Sequence, residues 1–187
     1  MRKLSIFLVM VLIGTTIQAQ STWKSDNAHS KVGFSITHLM ISEVEGSFGE
    51  FDITATADDN FDDASFDVEI KVASIDTDNE NRDNHLKSPD FFDAEKYPSI
   101  TFKSTSFEKT GDKTFALTGD LSMHGVTKSV TLEGKVNGVI TDQRSQKLKA
   151  GLKLTGTVDR LEFGVGGDTP TLGDDVEFTV NLEMAQQ

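Results

Sequence analysis

Residues 64–72 read Ala64-Ser65-Phe66-Asp67-Val68-Glu69-Ile70-Lys71-Val72, with an apolar side chain at every second position and polar or charged residues between. Successive side chains of a β-strand point to opposite faces, whereas a helix would scatter these five apolar groups around its circumference, so the stretch reads as a strand with one buried face. The same period recurs on both sides of it. Upstream stand Val32, Phe34 and Ile36, then Phe48, Phe51, Ile53 and Ala55. Downstream stand Ile100 and Phe102; Phe115, Leu117 and Leu121; Val130, Leu132 and Val136; Ala150, Leu152, Leu154 and Val158; and Val176, Phe178, Val180, Leu182 and Met184. Eight strands are expected. Asp58-Asp59-Asn60, Gly111-Asp112, Asn137-Gly138 and Gly173-Asp174 carry turn chemistry that suits reversals between antiparallel neighbours.

One excursion interrupts the alternation, from about residue 78 to 98, where polar residues surround Leu86, Phe91, Phe92 and Tyr97. This reads as a short helical insertion. Thr77 followed three residues later by Glu80 matches a capping box, and Ser88-Pro89 reads as the start of a second turn. The four large apolar side chains need a surface to bury against, and the expectation for Phe91 and Phe92 is a partial lid, with plain packing on the outer wall as the alternative.

Eight antiparallel strands either stack as two sheets or close into a barrel, and closure removes the exposed edges. The expected fold is all-β, an eight-stranded antiparallel lipocalin-like barrel. A barrel of this size is filled by its own side chains or holds one small ligand. The inward rows are almost wholly apolar, and Gly33, Gly119, Gly134 and Gly156 leave gaps in the strands, so any guest is expected to be hydrocarbon-like.

The first residues differ from the rest. Arg2 and Lys3 precede an apolar run from Leu4 to Ile17, and Ala19 offers a small residue after it, the pattern of a secretory signal peptide over residues 1–19. The run is shorter than the roughly 20 residues that span a bilayer. Residues 20–187 then form a single domain, periplasmic or secreted, without stable membrane insertion. Without Arg2 and Lys3, 16 basic residues face 30 acidic ones. That balance speaks against nucleic acid and anionic membrane surfaces as partners. The chain has no cysteine, hence neither a disulfide nor a lipid-anchored cysteine at the cleavage site.

Candidate catalytic and metal sites fare poorly. His29, His38, His85 and His124 follow no metal-ligand spacing, and His85 reads as a hydrogen-bonded structural residue near Asp83. The run Asp76-Thr77-Asp78-Asn79-Glu80 begins like a calcium loop but has Asn81 at the sixth position and Lys87 at the twelfth, where glycine and glutamate are required. Asp58, Asp59, Asp62 and Asp63 read as a charged hairpin tip. Arg82 is expected to fasten the insertion through an acidic neighbour rather than to meet a ligand oxygen. Gly46-Ser47-Phe48-Gly49 lacks the spacing of a serine nucleophile elbow, and Gly164, Gly166 and Gly167 follow no strand–helix unit, so they are no phosphate loop. No catalytic residue, metal or cofactor is expected.

Specific motifs run along nearly the whole chain after residue 20. Trp23, Asp26, His29-Ser30, Phe34 and His38-Leu39 are followed by Val44, Gly46, Phe48 and Phe51. Then come Ser74-Ile75-Asp76-Thr77, Arg82-Asp83-Asn84-His85-Leu86-Lys87-Ser88, Asp90-Phe91-Phe92-Asp93 and Tyr97-Pro98. Phe102-Lys103-Ser104, Gly119-Asp120-Leu121-Ser122-Met123-His124-Gly125-Val126-Thr127-Lys128, Arg160 and Phe163-Gly164 complete the series. In order and spacing these resemble the YceI-like family, periplasmic polyisoprenoid-binding proteins with a lipocalin-like barrel. Ser122-Met123-His124 departs from the family's usual threonine-hydrophobe pattern beside a turn. The resemblance implies a long-chain isoprenoid lipid, a polyisoprenoid or an isoprenoid quinone, held in the lumen for carriage, storage or sequestration.

The expected ligand-binding side chains are those of the inward rows and the insertion: Val32, Phe34, Ile36, Phe66, Val68, Ile70, Phe91, Phe92, Phe102, Phe115, Leu117, Leu132, Leu152, Leu154, Phe178 and Val180. Two other classes stay open at this point, an enzyme acting on an isoprenoid lipid and a stress or interaction protein whose barrel is packed solid. A homodimer is also left open.

Overall fold

The computed structural model describes residues 20–187, so the leader expected over residues 1–19 lies outside the described residues. The chain folds as an up-and-down meander in which every strand pairs antiparallel with the next and the last returns to the first. The first two barrel strands are each built in two pieces. Strands β1 (Ser21–Ser25) and β2 (Lys31–His38) are separated by a 3-10 turn at Asn27–His29, and β3 (Ser42–Phe48) and β4 (Phe51–Ala57) bend at Gly49-Glu50. The third barrel strand is β5 (Ala64–Lys71) continued by β6 (Ile75–Asp76). After the helix α1 (Glu80–Lys87) come β7 (Ser99–Lys109), β8 (Thr114–Met123), β9 (Val126–Thr141), β10 (Leu148–Asp159) and β11 (Leu172–Gln186).

Counting each bent pair as one strand gives eight, as the alternation predicts. Closure is made by β11, whose Phe178 and Val180 lie opposite Phe34 and Val32 of β2, while Met184 and Gln186 lie opposite Ser25 and Trp23 of β1. The barrel has no free edge along this seam, which removes the template for edge-to-edge association.

One end is sealed. Trp23, Phe61, Phe115, Leu152 and Met184 are all essentially inaccessible and form a packed floor. The Trp23 and Phe61 rings meet edge to face at 4.9 Å, and the indole Nε1–H donates to the Ala57 carbonyl at 3.4 Å. Full burial of a ring of this size is worth roughly 3 kcal/mol. Phe61 reaches the floor because the β4–β5 connection folds under the barrel, with Phe61 itself at φ +58°. The Asp58 carboxylate holds that fold by accepting from the backbone N–H groups of Asn60 and Asp62 at 2.9 and 3.0 Å. The aspartate cluster 58–63 therefore opens with a structural aspartate.

Several sequence readings need correction. The opening strand begins at Ser21, eleven residues before Val32, because the turn after Asp26 resets the alternation. Asn137-Gly138 lies inside β9, where the register against β10 shifts between Gly151 and Leu152, so the flexible pair makes a bulge; the reversal comes at residues 142–147. Gly173-Asp174 likewise belongs to an irregular start of β11 and not to a tight turn. The helix is not capped by a Thr77–Glu80 box. Asn79 is its N-cap and accepts from Arg82 N–H at 3.0 Å, because Thr77 is committed elsewhere.

Candidate functional site: an apolar lumen with a polar mouth

Above the floor the barrel encloses a cavity of about 780 Å³, within the range of small-molecule sites. Its walls are the inward rows. Val32, Phe34 and Ile36 of β2, Phe66, Val68 and Ile70 of β5, Phe102 of β7, Leu117 of β8, Leu132 of β9, Leu154 of β10, and Phe178 and Val180 of β11 all line it. Ile53, Ile100, Leu121, Val130, Val158, Val176 and Leu182 extend the apolar surface. A cavity of this size excludes the reading of a barrel packed solid. Of the sequence-expected residues, Phe115 and Leu152 do not reach the lumen. They sit lower on their strands and belong to the floor, at 2% and 1% exposure.

Glycines explain how a barrel lined with so many phenylalanines stays open. Phe34 lies directly opposite Gly46, Phe178 opposite Gly156 and Phe115 opposite Gly134. A Cβ built on Gly46 would come within 2.4 Å of the Phe34 ring, and one on Gly134 within 2.1 Å of Phe115. Each ring therefore lies over the bare backbone of its neighbour instead of standing into the lumen, the packing by which aromatic residues cover strand glycines.

The insertion covers the other end. Leu86, Phe91 and Phe92 all line the cavity; Tyr97 instead packs on the β8–β9 turn, edge to face with His124 at 4.8 Å. Phe92 meets Phe48 edge-on at 6.2 Å, and Phe91 meets His85 at 4.9 Å while lying over Gly166. The segment is tied down by one compact knot. The Asp83 carboxylate accepts from both the backbone N–H and the hydroxyl of Thr77, at 2.9 and 2.5 Å, and Arg82 donates to Thr77 Oγ1 and to its carbonyl at 2.8 and 2.6 Å. Arg82 does fasten the insertion, but through threonine and not through an acidic neighbour.

Polar groups reach the lumen only near this mouth, where Arg82, His85, Asp90, His38, Thr169 and Thr171 appear among the lining residues. His85 faces Phe91 and sits 3.7 Å from Asp90, so its partner is not the neighbouring Asp83. Arg160, 3% exposed, also borders the cavity. Its guanidinium is saturated: Nε donates to Gly173, Nη1 to Val165 and Gly167, and Nη2 to Leu172 and to the Asp174 carboxylate. Five contacts use the five N–H groups an arginine has, so Arg160 shapes the 161–173 rim and has none left for a guest. Nothing in the alternation of β10 points to this role.

His29 and His124 lie away from the cavity. His29 pairs with Asp26 at 3.0 Å, and one ligand atom from each of Asp26, His29 and Glu183 falls within a 4.8 Å cluster, where Glu183 is already held by Lys149 at 2.7 Å.

A closed antiparallel barrel with an apolar lumen, a sealed floor and a polar mouth defines a lipocalin-like container. The particular lineage is equally clear: residues 23–184 match the model of the YceI-like domain, and the chain belongs to that family. It is 37% identical over 180 residues to Protein YceI of Escherichia coli O157:H7, covering 96% of this chain and 93% of that protein. A UPF0312 protein of Pseudomonas savastanoi pv. phaseolicola is 34% identical over 185 residues, covering 98% and 95%. Among solved structures, the Campylobacter jejuni YCEI protein superposes with a TM-score of 0.74 at 37% identity, covering 87% of this chain and 96% of that one. A polyisoprenoid binding domain from Saccharophagus degradans, implicated in plant cell wall breakdown, shares the fold at a TM-score of 0.67 and 11% identity, covering 88% and 98%.

Proposed function

We propose that this protein carries one long apolar lipid, a polyisoprenoid or an isoprenoid quinone, in the barrel lumen, and does so in the periplasm or after secretion. The observation that carries this reading is the 780 Å³ cavity walled by aliphatic and aromatic side chains, with its polar groups confined to the mouth. A lipid tail gains about 0.8 kcal/mol for each methylene taken out of water, so five methylenes are worth roughly 4 kcal/mol before any head-group contact forms. Such a lumen suits a tail and supplies no titratable group at depth with which to act on one. A head group would then rest among Arg82, His85, Asp90 and Thr171. Export rests on the sequence pattern of residues 1–19; among the described residues no helix is long and apolar enough to cross a membrane. The YceI-like family and the polyisoprenoid-binding neighbour of the same fold support this reading.

The test is organic extraction of the purified exported protein followed by mass spectrometry. A prenyl lipid at close to one per chain is the expected result, with an N-terminus at Gln20 or Ser21. Protein that emerges lipid-free and fails to take up a prenyl lipid after reconstitution would overturn the assignment.

A further inference from the structure

The hairpin between β2 and β3 ends in Leu39, Met40 and Ile41, which are 50%, 77% and 85% exposed. Only one other large hydrophobic residue is as exposed among the described residues, Ile140, near the floor end of β9. The tip stands at the mouth: Ile36, His38 and Val44 of the same hairpin line the lumen, and Leu39 N–H donates to the Thr171 carbonyl of the rim at 2.7 Å. An apolar surface thus runs from the outermost residue of the hairpin into the cavity.

The backbone of this tip is as unusual as its side chains. Leu39 and Met40 have φ of +52° and +59°, in a turn closed by Ile41 N–H donating to the His38 carbonyl at 3.2 Å. Positive φ at both central positions is the geometry that Asn-Gly ordinarily supplies in a hairpin, since a Cβ there crowds the following carbonyl. Here two long apolar residues occupy it, and they are held in water. The strain is not compensated by packing within the chain.

The surroundings select the occupant. Residues 32–46 and 161–175 contain no lysine or arginine, while Glu43, Glu45, Glu162, Asp168, Asp174 and Asp175 are all acidic. That rim repels polyanions, and it would also repel a second strongly acidic copy of this chain. The cations near the mouth are already engaged, Arg82 with Thr77, Arg160 with Asp174 and the rim carbonyls, and Lys128 with Glu162. What remains is a surface that accepts hydrocarbon and offers no cation of its own from these two segments. We propose that Leu39, Met40 and Ile41 form a membrane-docking lip that enters the interfacial zone of a lipid bilayer and sets the mouth against it. The lip goes beyond the lumen reading and does not depend on which lipid the lumen holds.

The test uses the chain lacking residues 1–19, because the closed barrel spans Ser21 to Gln186 without them. With no native cysteine, Ser42→Cys gives a single labelling position beside the lip that leaves all three apolar residues in place. An environment-sensitive dye there should shift to the blue on adding phosphatidylcholine vesicles and be quenched by shallow nitroxide lipids. The same dye on Asn60→Cys, at the floor end, should not respond. Changing Leu39, Met40 and Ile41 together to serine should lower vesicle partitioning at least about ten-fold, since each loses the gain of burying an apolar side chain. The triple variant should keep its thermal midpoint and its extracted lipid. On vesicles containing phosphatidylglycerol, binding should rise with salt, as screening removes repulsion from the acidic rim.

A Ser42 label indifferent to vesicles, or a triple variant that partitions like the parent, would overturn the lip. A parent that sediments as a dimer, ignores vesicles and becomes monomeric in the triple variant would overturn it too, by showing a second copy on this surface. Failure of the lumen reading looks different: no lipid would be extracted from either protein, whatever the vesicles do.

Discussion

Two glycines in equivalent positions should respond to the same substitution in opposite ways. Gly134 and Gly156 both stand on inward rows, both lie opposite a phenylalanine on the next strand, and both would place an added Cβ too close to a neighbour. At Gly134 the methyl group would come within 2.1–2.6 Å of three Phe115 ring atoms. That ring is 2% exposed and stacked on Phe107 at 4.5 Å, so it has no free space into which to move. Overpacking of this kind costs about 1–3 kcal/mol. At about 2–4 °C per kcal/mol for a chain of this size, Gly134→Ala should melt roughly 2–12 °C lower, with lipid content per folded chain unchanged.

At Gly156 the new methyl group meets Leu132 Cδ2 at 2.5 Å and the Phe178 ring at 3.2 Å, and both side chains border the lumen. They can tip inward. Gly156→Ala should therefore cost under about 1 kcal/mol in the empty barrel, because the cavity absorbs the displaced groups, while the lumen loses room for its guest. Differential scanning fluorimetry of delipidated protein, paired with quantitative lipid extraction, separates the two effects. Equal losses of stability at both positions, with equal lipid content, would show that flat packing of rings over glycines does not keep the lumen open.

Phe34→Asp places a carboxylate on the lumen wall opposite Gly46 and should abolish lipid retention in whatever fraction folds, as measured by extraction from the monomer peak; full lipid occupancy would remove this row from the binding surface. Changing Phe91 and Phe92 together to alanine should speed lipid release at least about ten-fold in a vesicle-transfer assay, while costing less than the roughly 3–5 kcal/mol of a fully buried phenylalanine, because both rings are only partly buried. Unchanged release with a large stability loss would make the pair plain packing. Arg160→Lys retains the charge but can donate only three hydrogen bonds where five are made, and should cost about 2 kcal/mol or more by chemical denaturation, with new proteolytic cleavage between Leu161 and Gly173; an uncut rim would show that the loop holds its shape without the guanidinium.

The eight strands are legible because each barrel strand has one dry face, and a period of two records that directly. Depth along the barrel axis leaves no such trace. Phe115 and Leu117 are two residues apart on one strand and identical in pattern, yet the first is floor and the second is lumen wall. Bulges blur the signal as well. The register of β7 shifts between Ser104 and Ser106, which turns Phe107 inward opposite Leu117 although it falls out of step with Ile100 and Phe102. Phe61 is invisible for another reason: its aspartate-rich surroundings mark a solvated turn, and only the left-handed backbone at that residue carries the ring under the barrel. Arg160 stands in the sequence only as one position of the family motif, and its role emerges when the carbonyls of the loop that follows it, from Val165 to Gly173, converge on its guanidinium.

The seam between the first and last strands bears on how the chain reaches this state. Ser30 and Glu183 share hydrogen bonds although 153 positions separate them, and β11 alone completes the pairing of β1, β2 and β10. Contacts that distant form late and slowly, since a long loop must close before any of them is rewarded. Until residues 172–186 emerge, the nascent barrel is an open sheet with β10 unpaired on one side and β1–β2 on the other. A chain built this way stays unlocked while it is being synthesised, and it snaps shut only when its final segment arrives.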